Sequence, residues 1–249
     1  YILGNIYDYE ESMAPKQFCE LDLWALDRTG KFLDKLKNAY DSYEFHSAYH
    51  ALVNFCAVDL SSLYFDILKD RLYTSGKNSI ERRSSQAALF QIGKALATGL
   101  APLFSFTSEE MWASLKQTGS VFEADFPALD PFWKSTEERE AAAGKISAAL
   151  VLREPINKAI EVERQAKKIG HPLEASVTVT VPKETLTALK SIKEDLARLY
   201  IVSKITFNEA VEISVKVEQA KGEKCARCWT YTEQVCQHVD HPLICTRCL

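Results

Sequence analysis

The chain has 249 residues, 47% hydrophobic and 26% charged, with only nine Gly and eight Pro, which excludes collagenous, low-complexity and disordered classes and predicts a compact fold. Thirty Lys and Arg against thirty-four Asp and Glu give a net charge of -4, so no global positive field draws nucleic acid and any such partner needs a local patch. The length fits one or two domains, with a third small module only if something besides an apolar core holds it together.

The first helical pattern runs from Leu21 to about Asp70, with a break near Ser42. In its second half Phe45, Tyr49, Leu52, Cys56, Leu60, Leu63 and Ile67 recur at steps of three or four, predicting one buried face with Cys56 in the core. A further helix is expected from Ile80 to Leu100, ahead of Pro102. Thr107 and Glu110 stand at capping-box spacing and predict a helix starting there and running to about Leu115. The stretch from Gln117 to Lys134, with Gly119, Pro127, Pro131 and four aromatics, reads as a packed connector. Ser135 and Glu138 repeat the capping spacing before a long helix towards Lys168, bent at Pro155 and stopped by Gly170 and Pro172. The period then changes to two. Val177, Val179 and Val181 alternate with Thr, as do Val211, Ile213, Val215 and Val217 with polar residues, while Glu184 to Leu196 reads as helix and Tyr200 to Phe207 as strand.

The expected fold class is therefore mainly α with a small α/β part: a helical domain over 1–136, an α/β unit over 137–217 and a cysteine module over 218–249. The longest apolar stretch, Ala87 to Phe106, is interrupted by Gln91, Lys94 and Pro102, so no membrane partner is expected. The chain opens at Tyr1 without a starting Met or a leader, which reads as the interior of a longer polypeptide.

Of seven cysteines, Cys19 and Cys56 stand alone and five crowd between Cys225 and Cys248, a distribution that argues against a disulfide framework and for a reducing cytoplasm. Cys225 and Cys228, then Cys245 and Cys248, form two C-x2-C knuckles suited to one tetrahedral zinc. Four thiolates close the shell, so the metal is expected to be structural. A segment of roughly 30 residues buries too little to fold alone, whereas zinc supplies on the order of 10–16 kcal/mol to such peptides. Iron would accept the same ligands, and Cys236, His238 and His241 would be substitutes only if a knuckle were broken.

Trp229, directly after the second ligand, is either a lid over the module or a platform for a base. Lys221, Lys224, Arg227 and Arg247 surround it. Two richer basic stretches hold Arg153, Lys158, Arg164, Lys167 and Lys168, and Arg71, Lys77, Arg82 and Arg83. Such charges are by default a solvated face, but beside an aromatic and a metal knuckle they become candidate phosphate contacts.

At this point the chain resembles the C-terminal part of the bacterial isoleucyl-tRNA synthetase family. Lys69-Asp70-Arg71-Leu72-Tyr73, Arg82-Arg83-Ser84-Ser85-Gln86 and Ala101-Pro102 through Phe106-Thr107-Ser108-Glu109-Glu110-Met111-Trp112 look like the helical anticodon-binding domain of class I synthetases. Arg153-Glu154-Pro155-Ile156-Asn157-Lys158, Glu161, Arg164 and Ile169-Gly170 look like its junction domain, and the knuckles with Trp229 resemble its zinc module. The family usually has Asp-Arg-Trp where this chain has Asp22-Leu23-Trp24, so no Arg contact is assigned there.

The resemblance implies a helix bundle cradling the anticodon stem and a zinc module reaching the loop, with Trp229 stacking on RNA and Lys224, Arg227, Arg71, Arg82, Arg83, Arg153 and Arg164 as further RNA contacts. The implied partners are tRNA(Ile) and the catalytic and editing domains of the same polypeptide, in a cytoplasmic monomer. Signatures resembling His-Ile-Gly-His and Lys-Met-Ser-Lys-Ser do not occur in these residues. No catalytic residue is therefore expected here: ATP would be used by the catalytic domain, and this region alone would be inactive. Rival readings are a zinc-finger DNA-glycosylase-like protein, disfavoured by the helical start, and a zinc-stapled protein-interaction module.

Overall fold

The computed structural model describes residues 1–249, whose contacts group into two units, residues 1–72 with 76–143 and residues 73–75 with 144–249. The first is helical. Helix α1 (Glu20–Asp41) buries Leu21, Leu26, Leu33 and Leu36 completely, and a turn with Tyr43 at φ 57 leads into α2 (Phe45–Thr74).

The face of α2 that packs is only partly the expected one. Of the expected residues Leu60 and Ile67 are buried, Leu52, Cys56 and Leu63 are half-buried and Phe45 and Tyr49 are exposed, while the core also takes Ala48, Phe55, Tyr64 and Leu68. Between Phe55 and Tyr64 the helix is π-helical, and its wider turn puts Phe55, Leu60 and Tyr64 on the core side. Phe55 stacks on Phe32 of α1 with centroids 4.5 Å apart and planes at 5°. Cys56 is thus at the edge of the core, and burial raises its thiol pKa. By length and composition α2 is apolar enough to cross a membrane; here 33% of that apolar window is buried, and Asp59 in its middle holds Arg28 at two points, each 3.1 Å.

Helix α3 (Ile80–Leu100) has its expected bounds, with the Ser79 hydroxyl accepting from the Arg82 N–H at 3.3 Å. Helix α4 (Ser105–Ser114) starts before Thr107, after a turn in which the N–H groups of Leu103 and Phe104 both donate to the Leu100 carbonyl. Thr107 therefore lies inside the helix and caps nothing. Glu109 instead ties α4 to the connector, accepting from Ser120 Oγ at 3.1 Å and the Val121 N–H at 2.9 Å. Helix α5 (Glu137–Leu150) is capped by Thr136, one residue after the expected Ser135. The long helix predicted to bend at Pro155 is in fact two, because α5 ends and α6 (Arg153–Gln165) begins with Pro155 in its first turn, where a missing N–H breaks no bond.

In the second unit β1 (Ala175–Val181) lies between β2 (Lys204–Glu209), parallel to it, and β3 (Ser214–Gln219), antiparallel. Ala175, Val177, Val179 and Val181 are wholly buried, and α6 packs on this sheet with Ile156 and Ile160 buried. Val211, expected in a strand, is 93% exposed before β3 begins, and Tyr200 closes a short helix before β2 begins. The tail forms a small hairpin, β4 (Glu223–Lys224) with β5 (Tyr231–Thr232). It is tied to the sheet region by the Tyr231 N–H, which donates to Ser203 Oγ at 2.8 Å, while that hydroxyl donates to the Leu173 carbonyl.

Candidate metal centre and nucleic-acid interface

The hairpin β4–β5 is a metal knuckle built by backbone geometry. Gly222, at φ 92, lies so close to the opposite strand that a Cβ would stand 2.3 Å from the Thr232 carbonyl carbon and 2.5 Å from the Glu233 nitrogen, which only glycine tolerates. The Cys225 N–H then donates to the Thr230 carbonyl at 3.0 Å and the Trp229 N–H returns to the Cys225 carbonyl at 2.9 Å. The second knuckle is brought over the first when the Ala226 N–H donates to the Leu243 carbonyl at 2.9 Å.

The four sulfurs of Cys225, Cys228, Cys245 and Cys248 lie within 4.8 Å of one another, all buried, and with Val235 they make up the module's small core. Cys228 Sγ and Cys245 Sγ are 3.7 Å apart. Zinc–sulfur bonds of about 2.3 Å at tetrahedral angles place sulfurs about 3.8 Å apart, so the donor set fits this ion. Outer donors are also present: the Cys245 N–H points to Cys225 Sγ at 3.3 Å and Thr230 Oγ1 lies 3.2 Å from Cys228 Sγ. Burial pushes the Cys225 thiol up, but the backbone N–H groups of Cys228, Cys245 and Arg227 outweigh it and bring it to about 6. Burial raises Cys245 and Cys248, and the neighbouring Cys228 and Cys245 sulfurs raise Cys248 further. The Cys225 thiolate forms readily; Cys245 and Cys248 need a cation's charge beside them. Cys236, His238 and His241 are exposed and outside this cluster.

Around the cluster, Trp229 is 56% exposed, Lys224 and Arg227 are exposed, and the Lys224 Nζ lies 5.1 Å from the Trp229 ring centroid. On α6, Arg164 remains half-exposed while bonding Glu161 at 2.8 Å, and Arg153 donates to the Leu199 carbonyl at 2.9 Å, which fixes the start of that helix.

Arg71, Arg82 and Arg83 do not reach a surface, which corrects their expected role. Arg82 binds both Asp8 carboxylate oxygens at 3.0 Å, and Arg83 donates to the Asp8 carbonyl at 3.0 Å and to Gln86 Oε1 at 2.7 Å. Arg71 Nη1 forms an ion pair with Asp22 at 3.5 Å, and the hydroxyls of Tyr64, Ser84 and Ser85 donate to the same carboxylate at 2.6, 2.5 and 3.1 Å. Arg71 ties α2 to α1 through Asp22, and Arg82 and Arg83 tie α3 to the segment before α1 through Asp8, so drawing one out to a phosphate would give up an internal ion pair. The anchors Asp8 and Asp22 escaped the sequence reading, since no local pattern marks a carboxylate whose partner lies dozens of residues away.

Comparison with known proteins agrees with this geometry. The anticodon-binding domain of tRNA ligases matches residues 22–179, and the zinc finger found in FPG and IleRS matches residues 222–249. The isoleucine–tRNA ligases of Syntrophotalea carbinolica, Caldanaerobacter subterraneus and Geobacter sulfurreducens are 39%, 38% and 36% identical to the chain over all of it. The chain spans 28% of the length of each of these relatives. A helical unit, a small mixed sheet and a four-cysteine knuckle, in the order in which these matches run, place the chain in the family of anticodon-binding domains of tRNA ligases.

Proposed function

We propose that the chain is the tRNA-binding C-terminal region of an enzyme that attaches isoleucine to tRNA(Ile). Its relatives carry that name, and its own residues supply a bundle and a zinc-held knuckle but no catalytic signature. ATP would be used by a catalytic domain of the same polypeptide, working as a monomer in the cytoplasm. Residues 1–136 serve as the anticodon-stem bundle, 137–217 as a junction and 218–249 as the zinc module.

The observation that carries the reading is the exposed indole of Trp229, fixed beside four clustered thiolates in a chain of the anticodon-binding family. Cys225, Cys228, Cys245 and Cys248 hold one structural zinc. Trp229 stacks on an unpaired base, and Arg227 and Arg164 meet phosphates. What the region contributes to aminoacylation is orientation: it fixes the tRNA so that the entropic part of the barrier is met in binding.

The test is direct binding of isoleucine, valine and methionine tRNA transcripts to the purified chain at low and high salt. The reading predicts tightest binding for the isoleucine transcript, weakening steeply with salt as phosphate contacts are screened. Failure to bind any of the three, or binding indifferent to salt, contradicts it, and the latter result is what a protein-interaction module would give.

A further inference from the structure

Trp229 is an expensive residue for its position. It follows a metal ligand and sits in the left-handed region at φ 63, where the backbone favours glycine, and its indole is more exposed than buried. Neither zinc binding nor the module's core needs an indole there, since that core consists of the four cysteines and Val235. The ring is nonetheless not loose. Lys224, the residue before Cys225 and the last of β4, holds its ammonium 5.1 Å from the ring centroid and makes no ion pair with any carboxylate. Its strand partner is Tyr231, so the backbone from which it reaches the indole is fixed by the hairpin ladder.

We infer that Lys224 is a positioning residue for RNA recognition: by covering one face of the Trp229 indole it holds the ring so that the other face receives a single unpaired base. This rests on the proposed stacking role of Trp229. A cation over one face removes rotamer freedom before RNA arrives, so less of it is lost on binding. It also blocks a second base from entering on that side, so one base and not a pair is taken. Lys224 thereby acts through the ring and not as a separate phosphate contact.

A double-mutant cycle on the full chain separates these roles, with isoleucine tRNA transcript as the probe and zinc content measured for every variant. Trp229→Gly, which supplies the residue the backbone prefers, should weaken binding by about fivefold or more if stacking is lost. Lys224→Met should weaken it by about two- to fivefold, Lys224→Arg should restore it, and Lys224→Met should add nothing in the Trp229→Gly background. Should Lys224→Met fail to hold zinc, Lys224→Gln carries the same comparison.

An equal loss in both backgrounds, with the salt slope reduced by about one, would overturn the inference and make Lys224 a phosphate contact. No loss from Lys224→Met beside a clear loss from Trp229→Gly overturns it while leaving the platform standing. No loss from Trp229→Gly removes the platform and the inference together.

Discussion

Asp8 illustrates how single residues divide here between holding the fold and meeting a partner. The two-point bond from Arg82 pulls its carboxyl from 3.8 down to about 2, against the effect of burial and with help from Gln86 and Arg83. A depressed folded pKa means that the carboxylate stabilises the fold fully above about pH 4 and loses that contribution as pH falls through 2; the shift corresponds to roughly 2 kcal/mol. Urea unfolding of the chain and of Asp8→Asn should therefore differ by that amount near neutrality, and the gap should close as the acid window is entered. A gap unchanged between about pH 5 and pH 3 contradicts the assignment. Arginine-rich sequence could not distinguish this from an RNA surface. Arg82 and Arg83 look alike on paper whether they face water or Asp8, and the deciding partner lies 74 residues away.

At the level of elements, legibility followed how local the determining interaction is. Helix α3 has the expected bounds: Pro102 just beyond Leu100 marks its end in the sequence, and in the structure Ser79 caps its start. Strand β1 could be read because alternating Val and Thr leave one face for the core. The cysteine knuckles were the clearest signal, as spacing alone sets which sulfurs can converge. The buried face of α2 was legible only in part, at Leu60 and Ile67, since a π-helical turn such as Phe55–Tyr64 has no signature in residue period, and Thr107 was misread because α4 starts in a turn closed by backbone bonds to Leu100. Gly222 belongs to this scale too, since its missing Cβ lets β4 and β5 close. Gly222→Ala should push the hairpin apart, destabilise it by more than about 1 kcal/mol and lower zinc affinity in competition against a chelator. Unchanged zinc affinity would mean that the hairpin does not set the knuckle.

Across the whole molecule, two ways of stabilising structure stand side by side. The helical unit rests on apolar burial and on internal ion pairs centred on Asp8 and Asp22. The tail has only a handful of buried residues, four of them the clustered cysteines, so its fold and its metal stand or fall together. We propose that this metal-dependent part recognises RNA through Trp229. The most direct measurement is the affinity of the chain for isoleucine tRNA before and after complete zinc removal under reducing conditions, and again after zinc is restored. The account predicts that affinity drops on stripping, with the helical unit still folded by circular dichroism, and returns with one zinc per chain; affinity unaltered by complete removal of the metal contradicts it.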